Sequence, residues 1–110
     1  MDMEIGSTLY LYTARNGKFH VYEGMIIENK RRFYMKHVVR FDGRTQLEYP
    51  PTDKQIGRVL GGGPRLWLLE RDDNLARKLF LEYEEEKLKQ LEKQIAKKKE
   101  LIGVLKEGLE

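Results

Sequence analysis

The apolar positions of this chain change period near residue 72. From Asp72 to Glu110, Leu81, Leu88, Leu91, Ile95, Ile102, Leu105 and Leu109 recur in steps of three and four, interrupted at polar Glu84 and Lys98. That spacing lays one apolar stripe along a single long helix with coiled-coil character. The remaining surface is Glu and Lys, with Glu84-Glu85-Glu86 near the start and Lys97-Lys98-Lys99 a few turns later. A stripe this narrow cannot bury itself, so the helix needs a partner.

Upstream the pattern is that of a β-meander. Thr8 to Thr13 is rich in β-formers and is followed by Asn16-Gly17, a dipeptide suited to the positive φ angles of a two-residue hairpin. Phe19 to Glu28 predicts a second strand with a bulge at Gly24, and Asn29-Lys30 turns into a third from Phe33 to Phe41. Asp42-Gly43 predicts another hairpin, and Thr45 to Tyr49 a fourth strand ended by Pro50-Pro51. Thr52 and Gln55 form a capping-box pattern that predicts a short helical turn over Asp53 to Leu60. Gly61-Gly62-Gly63-Pro64 breaks it, Arg65 to Glu70 reads as a fifth strand, and Asp72 or Asp73 caps the long helix.

This order predicts an α+β fold. A small five-stranded antiparallel β-barrel or curled sheet, in Src-homology-3-like order, is followed by one long C-terminal helix. Residues 1–71 form the β domain and residues 72–110 the helix. At the simplest register, Tyr10, Tyr12, Phe19, Val21, Val38, Leu47 and Tyr49 share one face, and Glu23 lies across from Lys36. Leu9, Leu11, His20, Tyr22, Met35, His37 and Val39 share the other. Neither face is cleanly polar, which predicts burial on both: one inside the sheet, one beneath the helix or a second subunit.

With 110 residues, the helix leaves about 70 for a core, near the lower limit of independent stability. No cysteine excludes a disulfide framework and a thiolate metal site. The opening residues lack a signal-peptide pattern, and no apolar run is long enough to span a bilayer. A cytoplasmic protein without a membrane segment is expected. The net charge of +3 is unevenly placed: 12 Lys and Arg against 8 Asp and Glu in residues 1–71, and 9 against 10 in residues 72–110. Lys30, Arg31, Arg32, Lys36, Arg40 and Arg44 concentrate the excess. Interleaved with Tyr34 and Phe41, they form a candidate patch for RNA or DNA; solvated edges around an aromatic core explain the same residues.

Catalytic chemistry is hard to find. His20 and His37 fall diagonally on adjacent strands at the simplest register, near Glu48, and two histidines with a carboxylate are a possible zinc set. Structural or exposed histidines are the simpler reading. The glycine run lacks the Lys and hydroxyl residue of a phosphate loop and precedes a strand, so it reads as a turn. Ser7 and the threonines show no nucleophile pattern. The sequence therefore predicts no enzyme, no metal and no cofactor.

The helix says more. Along its flanking position, Glu85, Glu92, Lys99 and Lys106 change sign halfway. In an antiparallel pair Glu85 meets Lys106 and Glu92 meets Lys99, while Leu88 stacks near Leu105 and Leu91 near Ile102. A parallel pair would set acidic block beside acidic block. The reading is an antiparallel homodimer, or a target helix, gripped by Leu88, Leu91, Ile95, Ile102 and Leu105. The alternative is a solitary helix stabilised by pairs such as Glu85 with Lys89.

From Ile56 to Gly108, the succession IGRV, a short glycine loop, LWLLERDD and a Glu/Lys helix resembles small accessory proteins of bacteriophages and mobile elements in Gram-positive bacteria. Anti-CRISPR inhibitors belong to that pool. The resemblance covers about half the chain and implies a non-enzymatic inhibitor of a bacterial defence complex, with a CRISPR effector nuclease as its protein target. It carries over no functional residue. The alternative is a nucleic-acid-binding accessory module using the basic strands.

Overall fold

The computed structural model describes residues 4–28, 37–42 and 47–109. Among the described residues five strands precede one helix: β1 (Thr8–Arg15), β2 (Lys18–Glu28), β3 (His37–Phe41), β4 (Leu47–Glu48), β5 (Arg65–Leu68) and α1 (Asp73–Glu107). The strands make one antiparallel sheet in the order β4-β3-β2-β1-β5. It does not close on itself, so the curled sheet is realised and the barrel is not. The chain divides into two compact units, Met1–Phe80 and Leu81–Glu110.

The β1–β2 hairpin follows from two residues. Asn16 and Gly17 adopt φ of 52° and 71°, which matches the twist of the strands they join. Arg15 then pairs with Lys18, Tyr12 with Val21 and Leu9 with Gly24. Gly24 sits in regular register with both neighbours, so the predicted bulge is absent. Glycine serves another purpose there. A Cβ at this position would lie 2.6 Å from Val39 Cγ1 and 2.8 Å from the Phe41 ring, whose packing on the strand needs the missing side chain.

The β2–β3 register differs from expectation. Gly24 faces Phe41 and the Asp42 amide donates to the Glu23 carbonyl, so Glu23 stands across from Asp42, six positions along from Lys36. Six is even, so the described side chains keep their expected faces. The expected strand starts at Phe33 and Thr45 lie outside the described residues.

Two cores result. On one face Leu9, Leu11, Ile26, Val39, Phe41 and Trp67 pack together, with Tyr22 and Leu60 against them. On the other, Tyr12, Leu66 and Leu68 pack under Ala76 and Phe80 from the first turns of α1, with Phe19 and Val21 alongside. Asp72 caps that helix by accepting from the Leu75 amide at 3.0 Å. The Tyr12 hydroxyl donates to Asp73 Oδ1 at 2.8 Å and accepts from the Asp72 amide at 3.0 Å. Burial, and then the bond to Asp73, push the Tyr12 hydroxyl pKa up. The bonds from Tyr12 and Arg71 hold the Asp73 carboxyl below its ordinary value.

Of the helical turn expected over residues 53–60 only the start forms: the Gln55 and Ile56 amides donate to the Thr52 carbonyl at 2.9 and 3.3 Å, and no helix continues to Leu60. The Gln55 side chain does accept from the Thr52 amide at 2.9 Å, as the capping box requires. Gly57 then turns away at φ 77°, its amide donates to the Trp67 carbonyl at 2.9 Å, and Ile56 bridges Trp67. Pairing with β5 overrides the local helix signal, and it covers an otherwise open sheet edge.

Candidate interaction surfaces

The outer strands of an open five-stranded sheet stand four spacings apart, about 19 Å if flat. Yet Arg65 on β5 reaches Glu48 on β4 with Nη2 to Oε2 at 3.4 Å. The open sheet has curled far enough for side chains of its two edge strands to touch. Phe41 and Trp67 mark the same curl: their rings stack with centroids 5.9 Å apart.

The curl shapes a concavity of about 400 Å³ beyond the first core, toward the β1–β2 hairpin. Arg15 from β1, Lys18, His20 and Tyr22 from β2, Glu48 from β4 and Arg65 from β5 line it. The alternation of β1 places Leu11 and Thr13 on the same wall. Among the described residues, three fixed cations against one carboxylate leave a surplus of two positive charges.

Both arginines are held in place. Arg15 Nη2 donates to the Gly63 carbonyl at 3.4 Å, and a Cβ on Gly63 would lie 2.9 Å from that nitrogen. Gly63, at φ 99°, is the seat of the guanidinium. Arg65 is held by Glu48 and by the Trp67 ring, its Cζ 5.8 Å from the centroid. Its Nε is enclosed and has no hydrogen-bond partner among the described residues. An unmatched buried donor costs about 1–3 kcal/mol.

The second surface is the helix from Leu81 onward, considered by itself. The seam residues Leu88, Leu91, Ile95, Ile102 and Leu105 are each between 50% and 61% exposed, with Leu101 and Val104 beside the seam equally open. From Glu84 to Leu109 no residue is even half-buried. Every seam residue predicted from the sequence therefore lies on exposed helix.

The other predicted sites fare differently. Of the basic patch, only Arg40 is described; it is exposed on β3, between Met25 and Leu47. Lys30, Arg31, Arg32, Lys36 and Arg44 lie outside the described residues. His20 and His37 are not neighbours: His20 pairs with Thr13, while His37 pairs with Glu28 near the far end of β2. Eight residues of strand, about 27 Å, separate those rows. The longer β2–β3 offset is the reason. Among the described residues no group of three His, Asp or Glu could hold a metal ion. No helix there is long and apolar enough to cross a membrane.

The concavity was partly legible in the sequence. The Asn16-Gly17 turn sets Arg15 beside Lys18, and the period of two puts His20 on that face. Glu48 and Arg65 join only through the curl, which no local pattern encodes. No family model, curated protein or solved structure matches the chain.

Proposed function

We propose that this is a non-enzymatic binding protein that works as a pair of copies joined through antiparallel C-terminal helices. One observation carries the reading: an exposed apolar seam is flanked by Glu85, Glu92, Lys99 and Lys106, whose signs match only when the helices run in opposite directions. With Leu88 layered on Leu105 and Leu91 on Ile102, Glu85 falls beside Lys106 and Glu92 beside Lys99. Exposed ion pairs contribute about 0.2–1 kcal/mol each, whereas full burial of a leucine contributes about 1.5–3 kcal/mol. The seam supplies affinity and the charges choose direction. Sedimentation equilibrium tests this: a dimer is expected at micromolar concentration, and a monomer throughout the high micromolar range would contradict it.

The target implied by the chain's resemblance to phage accessory proteins is a bacterial defence complex, first of all a CRISPR effector nuclease. The net charge of +3 sets the mode. An inhibitor that mimics DNA must be strongly acidic, so this chain acts instead on an acidic or apolar protein surface or on guide RNA. Adding the protein before or after guide loading, and measuring target cleavage, separates a block on loading from a block on the later conformational step. Undiminished cleavage in both orders across several effectors would remove this target and leave the paired helices standing.

A further inference from the structure

We propose that the concavity lined by Arg15, Lys18, His20, Tyr22 and Arg65 binds a phosphorylated nucleotide, free or at the end of a single strand. Its volume of about 400 Å³ falls within the range of small-ligand clefts, about 300–1,000 Å³. The cations come from three strands and line one concavity. A phosphate accepts through several oxygens at once, and the planar fork of arginine matches that geometry. A carboxylate is a poorer match: Glu48 already occupies Arg65 Nη2, and Arg15 and Lys18 are left in excess.

The aromatic side of the cleft selects the rest of the ligand. His20 and Tyr22 stand two residues apart on the same face of β2, ring centroids 6.2 Å apart and tilted by 33°. His20 is exposed, and Tyr22, half-buried with its ring edge-on to Phe41, backs it, so His20 presents an aromatic face beside the cations. Bases stack on such surfaces with little sequence preference. Phosphate at the hairpin end and a ring over His20 together describe a nucleotide. This inference does not depend on the helices pairing.

The chain reports on its own cleft, because its one tryptophan, Trp67, lies under the Arg65 guanidinium. Titrations of the full-length protein, followed by Trp67 fluorescence and amide chemical shifts, would use a nucleoside monophosphate, a 5′-phosphorylated oligothymidine, inorganic phosphate and a polyglutamate peptide. Saturable shifts confined to the β1–β2 hairpin, β4 and β5 are expected with the first two. Tighter binding of the oligonucleotide would identify a strand end as the source, and equal binding a free nucleotide. Lys18→Glu and Arg15→Gln alter exposed hairpin residues, and each should weaken binding at least tenfold while the amide spectrum stays folded. Inorganic phosphate or polyglutamate binding as tightly as the nucleotide would overturn the proposal. So would the absence of shifts at millimolar nucleotide, or full affinity in folded Lys18→Glu.

Discussion

Phe41 and Trp67 stack with ring centroids 5.9 Å apart although two strands, β2 and β1, lie between them in the sheet. In a flat sheet their strands would stand about 14 Å apart. Gly24 on β2 permits the approach, since the Phe41 ring occupies the space a side chain there would fill. The curl that forms the cleft therefore depends on a glycine with ordinary strand pairing.

Gly24→Ala should destabilise the protein by about 1–3 kcal/mol, the usual penalty of overpacking a filled core. The new methyl must displace Val39 or Phe41, and Phe41 is itself pinned by Trp67. Urea denaturation would show a lower midpoint. Combining the change with Phe41→Leu should recover part of the loss, since residues in contact are not additive. A Gly24→Ala protein as stable as the parent would mean the ring does not sit on the strand.

Tyr12→Phe should cost about 1–3 kcal/mol, because one hydroxyl both donates to Asp73 and accepts from the Asp72 amide at the start of α1. Thermal or urea unfolding checks the magnitude. Hydrogen exchange should show the loss concentrated in the first turns of the helix and in β5.

The same junction sets a pH dependence. The folded state holds the Asp73 carboxyl below its ordinary value, chiefly through the Tyr12 bond. A depressed carboxyl stabilises the fold above its unfolded value, and that contribution disappears as pH falls through the folded one. Stability should therefore hold near neutrality and decline in acid, below the ordinary aspartate range. Asp73→Asn should flatten that decline. At the alkaline end the sign reverses: the Tyr12 hydroxyl is raised, so its contribution is complete below the ordinary tyrosine value and lost as pH climbs past it. An unchanged acid limb in Asp73→Asn would assign the acid sensitivity to other carboxyls.

The sequence was most legible where structure is local. Asn16-Gly17 specified the first hairpin, and the three-four spacing after Asp72 specified the helix and its exposed seam. The β2–β3 register was not legible, because apolar side chains on both faces make several even offsets acceptable; faces survived the error but the His20–His37 pairing did not. Thr52 and Gln55 make their capping contact, yet Ile56 and Gly57 follow Trp67 instead of continuing a helix. The Glu48–Arg65 contact bridges the open curl across four strand spacings, and nothing near either residue in the chain announces it.

Leu91→Asp with Ile102→Asp should give folded monomers. Each carboxylate would be buried unpaired in the apolar seam of the pair. The spectrum of the sheet unit should be unchanged, since both residues are exposed in the single chain. A dimer that survives both changes would place the contact elsewhere.

Helix direction tests the central claim most directly. The chain has no cysteine, so single spin labels can be placed through Ala96→Cys and Glu107→Cys and read by electron–electron distance measurement. In the proposed antiparallel register the two labels at position 96 stand at the same height on neighbouring helices whose axes are about 10 Å apart, with the outward-turned labels and their linkers adding to that separation. Those at position 107 stand about 32 Å apart, because position 107 lies beside position 86 of its partner and the helix rises 1.5 Å per residue. A short distance at 96 with a long one at 107 is the predicted result. Short distances at both positions, the signature of parallel helices, or no dipolar coupling at either, would contradict it.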